Sequence, residues 1–357
     1  MKKILAILLS AMLLLTMAAC VTPTGQSTTP GTSAAEEAAE DDAQEETAAS
    51  DFKFALVIGV GGLGDGSFND SMKEGADMAK EALGCKYQLI EPKEVAEFEG
   101  HFTELSASGE YDLIVGGGFD AIDAMTKVAT EFPDQKYLFV DGAVEGCDNV
   151  TSVTYRDNEK AYLLGIMAAM ETKTNKLGIV LALDIDSLRV FSSGFMAGAY
   201  SVNPDLDIEV KIVGGFADTT TAKELALALK EEGCDLIYVA AGGSGLGCFA
   251  AAKEAGGFRC LGVDVNQCLI EPDVVMASGM RLLQNTVSNG VQDAAKDALV
   301  GGHHSEGLKE DALTFTVEGS NCPPSEEAVA AAEAAMQDII DGKITVPSTY
   351  EEVGYGE

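Results

Sequence analysis
The residues best placed to do chemistry in this chain form its first glycine-rich turn. Gly59-Val60-Gly61-Gly62-Leu63-Gly64 reads G-x-G-x-x-G, directly after the apolar run Phe54 to Ile58 and before a helical pattern. That is the setting of a dinucleotide-binding turn. A nucleotide-dependent oxidoreductase would also need an acid about 20 residues further on to hold the ribose. Glu91 closes the second expected strand but lies 27 residues beyond Gly64, out of register. A tight strand-to-helix turn already explains the glycines. Other catalytic sets fare worse. None of the three histidines, His101, His303 and His304, falls in a turn that closes an expected strand, so a Ser-His-Asp or Cys-His arrangement has little to work with. There is no P-loop, no H-E-x-x-H and no Ca²⁺ loop. With 58 acidic residues, chance carboxylate pairs are expected and identify nothing. Binding is the better reading: no catalytic residue, no metal site and no cofactor is expected.

The chain opens with Lys2 and Lys3, an apolar run from Ile4 to Ala19, and Met17-Ala18-Ala19-Cys20. This reads as a secretory signal over residues 1–19. Sixteen residues are short of the roughly 20 that span a bilayer, and the small residues before Cys20 suit cleavage ahead of a lipid-modified thiol. Residues 20–51 combine Thr, Ser, Pro, Gly, Ala and eight acids with no aromatic residue. Such a stretch cannot bury enough apolar surface to offset its ordering entropy, and reads as a spacer leading away from a lipid anchor at Cys20. The expected location is therefore the extracytoplasmic face of a membrane. A net charge of −35 excludes nucleic acid and anionic lipid surfaces as partners, because both require a positive footprint. The seven cysteines besides Cys20 lack the close paired spacing of a zinc site. Their odd number leaves at least one thiol free.

From residue 52 on, short apolar runs alternate with amphipathic stretches, the pattern of βαβ units and parallel sheets. Strands are expected at 54–58, 87–90, 113–115 and 137–140 with helices between them. A second series follows, with helix 161–170, strands 177–181, 208–213, 236–240 and 260–263, and helices between those. The fold class is thus α/β, with two doubly wound lobes joined by a hinge. Lobe 1 is assigned to residues 52–157 plus about 268–310. Lobe 2 takes 158–267 plus about 311–347; the last hundred residues, with strands at 274–277 and 313–317, a long helix reaching residue 300 and an alanine-rich helix from Ser325, add elements to the two lobes. Ligands of such folds sit in a cleft at the carboxyl ends of the strands.

Five ordered segments carry a family resemblance: Gly61-Gly-Leu-Gly-Asp-Gly-Ser-Phe-Asn69, Gly116-Gly-Gly-Phe-Asp-Ala-Ile-Asp123, Gly214-Gly-Phe-Ala-Asp218, Ala240-Ala-Gly-Gly-Ser-Gly-Leu-Gly247 and Gly262-Val-Asp-Val-Asn-Gln267. Over roughly Phe54 to Pro347 the chain resembles the basic membrane protein family of lipid-anchored ABC-importer proteins, best known for purine nucleosides. The resemblance implies the type I periplasmic-binding-protein fold, a monomer, ABC permease subunits as partners and a nucleoside-like ligand. Phe68 and Phe216 match the aromatics that stack on the two faces of the base. Asn69 matches a contact to the base edge, and Asp123 the carboxylate that accepts from the base, with Asp120 as the alternative. Asp264 matches the carboxylate that grips the sugar hydroxyls, and Gly242 and Gly243 a close backbone approach. Two positions depart. Gly59 stands where the family usually has aspartate, and Arg281 where it has a sugar-holding lysine. The ligand is therefore a nucleoside or a related polar heterocycle. A surface sensor using the same fold without transport is the alternative.

Overall fold
The computed structural model of the protein describes residues 51–355. The expected signal segment, Cys20 and residues 20–50 of the expected spacer lie outside the described residues.

Continuous apolar runs form strands that are buried on both faces, as parallel sheets require. In chain order the first series is β1 (Lys53–Val57), α1 (Phe68–Leu83), β2 (Lys86–Ile90), α2 (Phe98–Ser108), β3 (Leu113–Gly117), α3 (Ile122–Glu131), β4 (Tyr137–Val140) and β5 (Val150–Tyr155). The second is α4 (Asp157–Glu171), β6 (Lys176–Leu181), α5 (Asp186–Val202), β7 (Asp207–Ile212), α6 (Thr219–Glu231), β8 (Leu236–Ala240), α7 (Leu246–Ala255), β9 (Arg259–Asp264) and β10 (Val275–Arg281). The remainder is α8 (Leu283–Ala295), β11 (Gly302–Glu306), β12 (Leu313–Thr316), α9 (Glu326–Ile340) and a short α10 (Tyr350–Val353).

Two six-stranded sheets result, ordered β11-β5-β4-β3-β1-β2 and β12-β10-β9-β8-β6-β7. Position for position the orders correspond, so β1 to β5 of one lobe match β6 to β10 of the other. The last helix of each series crosses over: α4 follows β5 but packs on α5 of the second lobe, and α8 follows β10 but packs on α1 of the first. The α4–α5 crossing depends on glycine. A Cβ at Gly198 would sit 2.0 Å from the Tyr162 carbonyl oxygen, and one at Gly165 2.1 Å from that of Phe195. Neither helix can carry a side chain there at this separation.

The lobe boundary differs from the sequence expectation. Residues 275–281 were expected in the first lobe, yet β10 pairs with β9 in the second sheet, and the chain returns to the first lobe only after Arg281. A strand's partner is a non-local choice that its own residues do not announce. Two strands were not anticipated. In β5, Thr151, Ser152 and Thr154 interrupt the apolar pattern, and β11 is a polar edge strand containing His303 and His304. The helix expected to run to residue 300 ends at Ala295, and the one expected from Ala161 begins at Asp157. Three crossings thus join the lobes: β5 to α4, β10 to α8 and β11 to β12. The first and third are tied together by Arg156, whose Nε donates to Glu159 at 2.6 Å and whose Nη2 donates to Glu310, while Glu159 also accepts from the Leu308 backbone N–H at 2.8 Å; the second joins them through the Leu282 N–H, which donates to the Ala312 carbonyl at 2.9 Å.

Candidate functional site
The first glycine-rich turn is built as a helix cap. The Asp65 carboxylate accepts backbone N–H bonds from Ser67, Asn69 and Asp70, and Asp70 accepts from Gly64 and Gly66. Such acceptors satisfy the donors exposed at the start of α1 and favour its dipole. Gly61, Gly62 and Gly64 all take positive φ, between 72° and 118°, which explains their identity through backbone geometry. Asn69 staples the same turn: its Oδ1 accepts from Gly59 N–H at 2.8 Å and its Nδ2 donates to the Gly62 carbonyl at 3.0 Å. The contact to a base edge expected of Asn69 therefore competes with bonds its amide already makes.

This turn forms one wall of a cavity of about 270 Å³ between the strand ends of the two lobes. Of the residues singled out in the sequence, Phe68, Asn69, Phe216, Gly242, Gly243, Asp264 and Arg281 line it, as does Gly59. Asp123 does not. It is exposed on the first turn of α3, because a 3-10 turn over Phe119–Ala121 intervenes and brings Asp120 to the cavity instead. Burial raises the Asp120 carboxyl above its ordinary value. Gly242 and Gly243 form a turn against Phe216, and Gly242, at φ 54°, would bring a Cβ within 3.1 Å of that ring.

The cavity has aromatic walls. Phe68 comes from the first lobe and Phe216 from the second, joined by two residues the sequence did not single out, Phe119 and Phe191. Phe119 meets Phe216 across the cleft, with centroids 6.0 Å apart at 44°. Phe119 lies in the Gly116–Asp123 motif, whose strand-end glycines were its only signal. Phe191 is one of the buried residues of α5 and had none.

Below these rings lies a charged floor, also largely unanticipated. Arg281, at the end of β10, is 5% exposed and pairs in fork fashion with Asp157, Nε to Oδ1 at 2.8 Å and Nη2 to Oδ2 at 2.6 Å. Its Nη1 lies 3.2 Å from Asp141 and its Nε 3.7 Å from Asp264. Lys160, fully buried one turn along α4, lies 2.6 Å from Asp157 Oδ1 and 3.5 Å from Asp264 Oδ1 without hydrogen-bond alignment to either. Ser67 donates across the cleft to Asp264 Oδ2, which leaves Oδ1 buried and unmatched. The two cations sit near the rings of Phe191 and Tyr155 at 4.9 to 5.2 Å. Burial alone would raise Asp157, but Arg281 and Lys160 outweigh it and hold that carboxylate below its ordinary range. Burial pulls Lys160 down, and the surrounding carboxylates hold Arg281 up despite its burial.

The arrangement can grip a flat, polar molecule between rings and hydrogen-bond it at the floor. Among the described residues no cluster of three or more His, Cys, Asp or Glu is arranged for a metal. Asp141 and Lys160 were missed although each carries a faint signal. Asp141 closes a strand just as Asp264 does, and Lys160 is a lone cation leading into an apolar helix.

A family model described as ABC transporter substrate-binding protein PnrA-like matches residues 52–350. A nucleoside-binding protein of an ABC transporter from Lactococcus lactis is 32% identical over 321 residues, covering 84% of this chain and 90% of its own. An uncharacterised lipoprotein from Pyrococcus abyssi is 30% identical over 283 residues, 76% of this chain and 70% of its own. Among solved structures, an ABC transporter solute-binding protein from Aeropyrum pernix superposes with a TM-score of 0.78 at 30% identity, covering 85% of this chain and 95% of that one. Two parallel-sheet lobes with a cleft at the strand ends are the type I architecture of such solute-binding proteins.

Proposed function
The chain belongs to the PnrA-like, or Bmp, family of ABC transporter substrate-binding proteins, and we propose that it captures a nucleoside and presents it unaltered to a membrane permease. The observation that carries this reading is the pairing of Phe68 and Phe216 from opposite lobes on one cavity whose floor holds Asp264 and Arg281. Two rings take the faces of a heterocycle by offset stacking. A buried carboxylate oxygen without a hydrogen-bond donor, Asp264 Oδ1, accepts from a sugar hydroxyl. Acids at Asp65, Asp120, Asp141 and Asp264 outnumber the one cation that lines the cavity, Arg281, so a phosphorylated nucleotide would be repelled.

Lobe closure follows from the three crossings, which act as hinge segments. Lipidation at Cys20 and residence on the outer membrane face complete the proposal, supported by the lipoprotein among the relatives. Calorimetric titration of the purified protein with purine and pyrimidine nucleosides tests it. Saturable one-to-one binding, with intact nucleoside recovered afterwards, is the expected result. No binding to any of them would defeat the ligand assignment and leave the family intact.

A further inference from the structure
Asp141 and Asp264 occupy the same place in the two lobes, the carboxyl ends of the corresponding strands β4 and β9, and both adopt left-handed backbone at φ 60° and 66°. A non-glycine residue held there bears strain that surrounding structure must maintain, a state concentrated at functional sites. Asp264 matches an expected ligand contact. Asp141 matches none.

The charge count at the floor suggests one. Three carboxylates, Asp141, Asp157 and Asp264, face two cations, Lys160 and Arg281. Asp157 takes the Arg281 fork and the nearer contact of Lys160, and Asp264 takes the Ser67 hydroxyl. Asp141 meets the cluster through a single nitrogen at 3.2 Å, and its side chain keeps 30% exposure as it lines the cavity. Of the three it is the least compensated. In a buried cluster with a surplus negative charge, the proton settles on the carboxylate with the weakest partners.

We propose that Asp141 is a ligand contact in its protonated form: closure over the nucleoside carries a proton onto this carboxyl, which then donates a hydrogen bond to an acceptor atom of the ligand. The inference rests on the nucleoside reading of the site. The groups facing Asp141 are Asp157 from α4, Asp264 from β9, Arg281 from β10 and Tyr155 from β5, with Lys160 of α4 reaching the cluster through Asp157 and Asp264. Burial pushes its carboxyl up to about 6, with Asp157 and Asp264 adding to the rise and Arg281 opposing it. Opening of the cleft would return the group to water, where a carboxyl has its ordinary value near 3.9.

The sign follows by linkage. A carboxyl whose value rises on closure takes up a proton on binding, so affinity increases as pH falls through 6 and levels off near 4. Between pH 7 and pH 5 the gain is about tenfold. Ionised Asp141 would be an acceptor only, so the proton also changes which ligands fit.

The experiment is calorimetry of the full chain in detergent with purine and pyrimidine nucleosides, from pH 5 to 7.5, in two buffers of different ionisation enthalpy. Proton uptake on binding is expected, reaching a large fraction of one proton near pH 5. Asp141→Asn carries an amide donor in place of the acid, and is expected to bind with neither the proton uptake nor the pH slope. Asp141→Ala lacks any donor and binds more weakly at every pH. Because Asp65 and Asp120 also line the cavity, the Asn variant is what separates their protons from that of Asp141. Binding without proton uptake, or uptake that persists in Asp141→Asn, overturns this inference and leaves the nucleoside reading standing. Absence of binding to every nucleoside overturns both.

Discussion

At the hinge side of the cleft five charged residues are joined to one another, and Lys160, Asp157 and Arg281 are almost wholly removed from solvent. On its walls Phe68, Phe119 and Phe216 stay partly exposed, and Phe119 and Phe216 touch only at a tilt. The first region has met most of its interactions before any ligand arrives, so its energy goes largely into holding the crossings in register. The second has not, and its apolar surface is available to whatever enters. Damage to the bonded centre of the floor, Asp157 with Lys160 and Arg281, should therefore appear mainly as lost stability, and damage to the walls mainly as lost affinity.

The largest effect tests the floor. Asp157→Ala leaves Arg281 and Lys160 buried without their shared carboxylate, and removing one partner of such a set costs about 3–5 kcal/mol. Urea denaturation reads this directly, and a loss below about 1 kcal/mol would dissolve the contrast. Phe68→Ala and Phe216→Ala come next. Each should weaken nucleoside binding by about 1–3 kcal/mol, the range for a base stacked on an aromatic ring, with a smaller change in stability. Phe119→Ala removes a tilted ring contact between the lobes and should cost up to about 1.5 kcal/mol of affinity. If Phe119→Ala instead destabilises the ligand-free protein, the contact belongs to the fold.

The same division decided what could be read from sequence. Strands such as β1, β3 and β8 are unbroken apolar runs, and their helices show regular spacing, so the α/β class and the two lobes were legible. β11 was not, since Gly302-His-His-Ser-Glu306 has no apolar period and is a strand only because β5 offers it an edge. Phe68, Phe216 and Asp264 were found because each sits in a compact motif at a strand or helix end. The floor joins positions 141, 157, 160, 264 and 281 from three strand ends and a helix, and no local pattern encodes that meeting. Lys160 shows the limit: the residues flanking it predict a helix, and only the fold reveals that its ammonium faces two carboxylates.

The smallest expected effect bears on where floor and wall divide. Asp120 and Asp123 are three residues apart, and both competed for the carboxylate role in the Gly116–Asp123 motif. Asp120 lies on the 3-10 turn that faces the cavity, whereas Asp123 points into solvent from α3. Neither belongs to the charged floor. Asp120→Asn should weaken binding by about 1 kcal/mol, the net worth of one hydrogen bond, and Asp123→Asn by nothing measurable. Calorimetry on the two variants at pH 7 is sufficient, because both substitutions keep size and shape. Should Asp123→Asn prove the more harmful, the turn over Phe119–Ala121 must rearrange when ligand binds, and the wall would be a moving element, unlike the bonded floor.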